Sequence, residues 1–138
     1  MKVFADTSFL IALYDNTDEY SKSAHKILKS LKDTLQEVFI SDYIFDETVT
    51  LLLDTHHYYG YLRAKAFNAD VTLKKVCHLT FISEILFEQA RDIFFRYNKD
   101  KSWSFTDCTS FALMKDFDIN RVLSFDKHFS EMGFKLLA

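Results

Sequence analysis

The segment Ser104-Phe105-Thr106-Asp107-Cys108-Thr109-Ser110-Phe111-Ala112-Leu113-Met114-Lys115-Asp116-Phe117 leads, three residues later, into Arg121-Val122-Leu123-Ser124-Phe125-Asp126. The first piece opens on a serine suited to capping and reads as a helix over Ser104–Phe117. The second is a short β-rich run, Arg121–Phe125, that stops at an acid. The start of the chain has the same grammar. Lys2–Ala5 is a short apolar run, Asp6 follows it, and Thr7–Tyr14 carries helical spacing. Between these ends, Glu19–Lys32, Asp42–His57, Tyr61–Leu73 and Ser83–Asn98 read as helices. Val38–Ser41, Val76–Ile82 and Phe134–Leu137 read as strands. Short strands alternating with helices predict an α/β fold with a mainly parallel sheet and right-handed crossovers. In such sheets ligands gather beyond the carboxyl ends of the strands.

Composition narrows the classes. The 138 residues suit one domain spanning 1–138, and no linker, repeat or low-complexity tract divides them. Nearly half the residues are hydrophobic, which excludes disorder. With two Gly and no Pro, a turn-rich all-β architecture is disfavoured. The net charge of −3 does not suit a protein that binds nucleic acid by charge alone, so a bound metal or a local basic patch would have to supply the positive charge. Cys77 and Cys108 stand far apart with no CxxC motif, which points to reduced, buried thiols. The N-terminus turns polar too early for a signal peptide, and no apolar run has the length of a membrane span. The expected location is cytoplasmic, with no membrane partner.

Four carboxylates fall where the fold would collect them. Asp6 and Asp126 each follow a strand, Asp107 lies in the first turn of a helix, and Glu47 lies in the helix after the second strand. Each has a structural alternative. Asp6 suits an N-cap, Asp126 suits the cap of a Lys127–Ser130 turn, and Ser104-x-x-Asp107 resembles a capping box. Glu47 and Asp46 border opposite sides of the same apolar arc, and spacing does not choose between them. The joint pattern is more informative. Carboxylates gathered in one place repel, and burying them is costly unless a cation lies among them. Oxygen donors without a His or Cys partner select Mg²⁺ or Mn²⁺. Such ions serve in-line attack of water on a phosphodiester, and they reverse the local field that an acidic site presents to RNA.

On these residues the chain resembles the PIN-domain ribonucleases. The matching segments are Val3-Phe4-Ala5-Asp6-Thr7-Ser8, Asp46-Glu47-Thr48, Ser104 through Ser110, Leu123-Ser124-Phe125-Asp126-Lys127-His128-Phe129, and the closing Met132-Gly133-Phe134. The resemblance implies a parallel sheet of order 3-2-1-4-5 with helices on both faces, and hydrolysis of RNA with Mg²⁺ or Mn²⁺. It implies Asp6, Glu47, Asp107 and Asp126 as the metal-binding and catalytic acids. Ser8, in preference to Thr7, matches the family's hydroxyl position, and Ser124 supports the fourth acid. Small members resemble VapC-like toxins of toxin–antitoxin pairs, which implies a homodimer held by an antitoxin protein.

The remaining features carry less. His25, His56, His57 and His78 do not form a ligand set, while His128 adjoins the last acidic segment. Lys99, Lys101 and Trp103 precede the Asp107 helix; a solvated basic stretch is the expected reading, with phosphate contact and base stacking as the alternative. Fifteen Phe residues suggest either a Phe-rich core or an interface. Three rivals share the carboxylate pattern. A haloacid-dehalogenase-type phosphatase needs a second Asp where Ser8 stands. A receiver domain wants a late Lys, and here the late strand ends in Asp126. A catalytically silent binding module would keep the fold without needing the acids.

Overall fold

The computed structural model describes residues 1–34 and 37–137. The elements in chain order are β1 (Lys2–Ala5), α1 (Thr7–Tyr14), α2 (Ser21–Ser30), β2 (Glu37–Ser41), α3 (Asp42–Asp54) and α4 (Tyr59–Thr72). They continue with β3 (His78–Thr80), α5 (Glu84–Tyr97), α6 (Phe105–Asp116), β4 (Arg121–Leu123), α7 (His128–Glu131) and β5 (Lys135–Leu136). All strand pairings among the described residues are parallel, in the order β3-β2-β1-β4-β5. This is the order implied by the family resemblance. It differs from the 2-1-3-4-5 order of receiver-type sheets.

β1 is central, and its Val3, Phe4 and Ala5 are fully buried, as a strand covered on both faces requires. The register sets Phe4 opposite both Phe39 of β2 and Val122 of β4. Because the strands run parallel, Asp6, Ser41 and Ser124 all emerge at the carboxyl edge of the sheet. Helices on the two faces complete the core. Phe111 of α6 sits edge-on against Trp103 and Phe129 there.

Several element ends differ from expectation, each for a local reason. α3 stops at Asp54 rather than His57, because the Thr55 hydroxyl turns back to the Leu52 carbonyl at 2.6 Å. α4 starts early, since His56 Nδ1 accepts the Tyr58 and Tyr59 N–H groups, each at 3.1 Å. The Val76–Ile82 strand shrinks to three paired residues. Past Thr80, the Ile82 N–H donates to Asp42 Oδ1 at 2.7 Å instead of continuing the ladder. β4 ends at Leu123 because Ser124 and Phe125 are drawn into side-chain bonding at the sheet edge.

The Phe excess is mainly core material. Phe4, Phe9, Phe67, Phe111, Phe129 and Phe134 are buried, and six more pack against them. Phe81, Phe87 and Phe95 face solvent. Gly60 marks the closest approach of α4 to α3: a Cβ there would lie 2.7 Å from the Leu52 carbonyl oxygen. Gly60→Ala is therefore expected to destabilise the fold by roughly 1–3 kcal/mol despite the better helix propensity of Ala. Chemical denaturation reads this, and an unchanged midpoint would contradict the close approach.

Candidate active site

Asp6 follows β1 and caps α1, as the structural reading of this residue expected. Its backbone N–H donates to the Leu123 carbonyl at 3.0 Å, fastening it to β4. Its side chain is nearly buried, and every hydrogen bond it accepts falls on Oδ2. The donors are the Ser8 N–H at 3.4 Å, the Ser8 hydroxyl at 3.0 Å and the Ser124 hydroxyl at 2.9 Å. The two serines also reach forward along the chain. Ser124 Oγ accepts the Asp126 N–H at 2.9 Å, and Ser8 Oγ accepts the Phe125 N–H at 3.0 Å. One pair of hydroxyls thus joins the first acid to the backbone that carries the last. Thr7 is different: its hydroxyl is buried without a partner among the described residues.

Asp107 likewise both caps and faces the site. Ser104 and Asp107 form a reciprocal capping box at the start of α6, with the Ser104 N–H donating to Asp107 Oδ2 at 3.1 Å. The same oxygen lies 2.9 Å from His128 Nδ1. An ionised carboxylate only accepts, so the contact requires a proton on Nδ1. Asp126 Oδ1 accepts the His128 N–H at 2.9 Å, and its Oδ2 lies 3.4 Å from Nδ1. His128 therefore bridges two of the acids. It adjoins Asp126 in sequence, but nothing in the spacing announced its partner on α6.

These acids and Glu47 of α3 line one cleft of about 500 Å³ at the carboxyl edge of the sheet. Glu47 is half-buried there, whereas Asp46 is exposed and does not line it. One ligand atom from each of Asp107, Asp126 and His128 lies within 4.8 Å of the others. Neither Oδ1 of Asp6 nor Oδ1 of Asp107 takes a hydrogen bond from the described residues, so each holds an oxygen free. Burial, followed in effect by the negative charge of Asp107, pushes the Asp6 carboxyl up from 3.8 to about 6, against the pull of the Ser124 and Ser8 hydrogen bonds. A buried carboxylate held at that cost, with one oxygen free and further acids beside it, fits a hard divalent cation.

The thiols are free and buried as expected. Burial, with the charge of Asp107, pushes Cys108 up to about 12, which leaves it without thiolate character. The alternative of base stacking does not fit Trp103. Its ring is buried, its Nε1 donates to Glu131 Oε1 at 3.1 Å, and Asn98 clamps its backbone on both sides. A ring so enclosed cannot stack a base. Lys99 and Lys101 beside it are exposed.

The profile of the PIN domain family matches residues 3–135. The 23S rRNA-specific endonuclease VapC20 of Mycobacterium tuberculosis is 33% identical over 132 residues, covering 96% of this chain and 95% of the relative. The crystal structure of M. tuberculosis VapC20, described as a sarcin–ricin loop cleaving toxin, superposes with a TM-score of 0.85 at 32% identity, covering 96% of this chain and 95% of that one. The VapBC2 structure from Rickettsia felis, bound to a DNA fragment from its promoter, superposes with a TM-score of 0.69 at 11% identity over 99% of this chain and 97% of that one, a likeness of fold alone.

Proposed function

Because the chain belongs to the PIN domain family, we propose that it is a metal-dependent endoribonuclease, the toxin of a toxin–antitoxin pair, with ribosomal RNA as its substrate class. The observation that carries the reading is the convergence of Asp6 after β1, Glu47 of α3, Asp107 of α6 and Asp126 after β4 on one cleft. A silent binding module has no need of that convergence, since gathered carboxylates are a standing cost to the fold.

Asp6, Glu47, Asp107 and Asp126 would hold Mg²⁺ or Mn²⁺. Bound there, such an ion would supply Lewis-acid charge for hydrolysis of the phosphodiester, in which water adds to phosphorus, one bridging P–O bond breaks and the departing oxygen is protonated from solvent water. The protein's contribution is preorganisation. Ser8 and Ser124 hold Asp6 Oδ2 and leave Oδ1 facing the cleft. Ser104 and His128 hold Asp107 in the same manner. No side chain needs to act as a general base.

The reading extends to partners and place. As a VapC-like toxin the chain works in the cytoplasm as a homodimer and is held by an antitoxin protein. No helix among the described residues is long and apolar enough to cross a membrane. Purified protein is expected to cut isolated ribosomal RNA in Mg²⁺ or Mn²⁺ and to stop in excess EDTA, with duplex DNA left intact. Equal cutting in EDTA would remove the metal, and preferential cutting of duplex DNA would remove the RNA assignment.

A further inference from the structure

Three aromatic rings form a column beside the acidic cleft. Phe9 of α1 is buried at its base. Phe125 stacks on Phe9 with centroids 6.0 Å apart and planes 21° apart, and Tyr20 stacks on Phe125 at 4.5 Å and 11°. Tyr20 ends the column at the surface and remains 44% exposed, with Phe125 against one face of its ring. The column is fastened to the site. Phe125 lies between Ser124 and Asp126, and its N–H is bound by Ser8 Oγ. At the top, the Tyr20 N–H donates to Asp18 Oδ2 at 2.9 Å, which fixes the backbone entering α2. Tyr20 and Phe125 wall both the acidic cleft and a second hollow of about 510 Å³ that Lys26 borders.

A line of charge leads away from this point. Lys22, Lys26 and Lys29 stand at i, i+4 and i+7 on α2, all exposed, within an arc of about 60° on the helix surface. Among the described residues none of the three lies within 4 Å of a carboxylate, whereas Arg63, Arg91 and Arg96 are each paired. In a chain of net charge −3 this is a local reserve of positive charge, and it begins where the acidic cleft ends.

From this continuity we infer that α2 and Tyr20 form the track for the single-stranded RNA that flanks the scissile phosphate. A base stacks on the outer face of Tyr20 as the fourth member of the column, and the phosphates beyond it follow Lys22, Lys26 and Lys29. The inference rests on the nuclease reading for its direction from the cleft. Stacking on an aromatic face tolerates any base, and lysines act on phosphates as point charges, so the track binds RNA without reading its sequence. A ring preordered by two others beneath it loses little freedom when a base settles on it.

The test is fluorescence anisotropy of a short, mixed-sequence, end-labelled single-stranded RNA with the whole chain in EDTA, so that binding is read without turnover. Tyr20→Ala is expected to weaken binding about tenfold, and Tyr20→Phe to bind like the wild type. The triple variant Lys22→Gln, Lys26→Gln, Lys29→Gln is expected to flatten the slope of log Kd against log salt by about 2. All the replaced side chains are exposed, and thermal melts confirm that the variants fold. Wild-type binding by both Tyr20→Ala and the triple variant overturns the track, as does polyglutamate that displaces the RNA as well as unlabelled RNA does. A cleavage assay in Mg²⁺ on the same proteins separates the two readings. Binding that depends on Tyr20 and the lysines, with no cutting by any preparation, keeps the track and discards the nuclease. Cutting by the wild type that every variant shares in full, with unchanged KM, keeps the nuclease and discards the track.

Discussion

Replacing Asp107 with Asn is expected to reduce RNA cleavage by roughly a thousandfold, the equivalent of several kcal/mol of lost transition-state stabilisation. The metal-free fold should remain as stable as the wild type, or become more so. The opposite signs follow from the division of labour between the two carboxylate oxygens. Both hydrogen bonds to Asp107, from the Ser104 N–H and from His128 Nδ1, fall on Oδ2. An amide keeps an oxygen at that position and replaces only the one left free for a cation. The helix dipole favours a negative charge there by roughly 0.3–1 kcal/mol, which Asn forfeits. Against that, Asn relieves the repulsion that helps raise Asp6. Added Mg²⁺ should stabilise the wild type by about 2.7 kcal/mol at a hundredfold excess over Kd, and the mutant by less. Melting curves with and without Mg²⁺, beside a cleavage assay, decide the matter. Full activity in the mutant would take Asp107 out of the site. A large loss of metal-free stability with activity retained would leave it only its capping role.

The second large effect is on pH. The Asp6 carboxyl is raised by burial, and then by Asp107, from 3.8 to about 6. A raised acid favours its protonated form in the folded state, so its contribution to stability is complete below 3.8 and is lost as pH rises through about 6. At 1.36 kcal/mol per pH unit, the metal-free protein should lose on the order of 3 kcal/mol across that window. Asp6→Asn should flatten this segment of the profile. Metal binding needs the ionised carboxyl, so the stabilisation by Mg²⁺ should shrink as pH falls through the same range. Urea denaturation at a series of pH values, with EDTA or with Mg²⁺, measures both effects. A metal-free stability that does not change between pH 4 and pH 6.5 would show that water reaches Asp6 and relieves its burial.

Much of the fold was legible in the chain because its elements end on recognisable residues. Asp6, Asp107 and Asp126 stand at the ends of β1, at the first turn of α6 and just past β4, places that strand runs and capping patterns mark. Each of the first two caps a helix and also lines the cleft, so capping does not exclude the site reading that spacing had set against it. Glu47 was illegible against Asp46, since both flank the stripe of Ile44, Thr48 and Leu52 that α3 buries. The packing of α3 against α1, α4 and α6 sets which flank meets the cleft. Trp103 was ambiguous because an indole beside lysines reads identically whether it is open or enclosed, and its partner Glu131 lies 28 residues away. Tyr20 gave no signal, because its place depends on Phe125, which the chain reaches only at the other end of the fold.

That long reach orders events during synthesis. β1 is made first, lies at the centre of the sheet, and waits for β4 as one of its two neighbours. The Ser124 hydroxyl that orients Asp6 is separated from it by 118 residues. A ribosome that has delivered the polypeptide only as far as α6 has made Asp6, Ser8, Glu47 and Asp107, but it has made neither the second hydroxyl that holds the first acid, that of Ser124, nor Asp126. The acidic cleft is therefore incomplete on a nascent chain until β4 and the Ser124–Asp126 segment after it have left the exit tunnel and joined β1, so the last part of the chain to be made is what closes the site around its first acid.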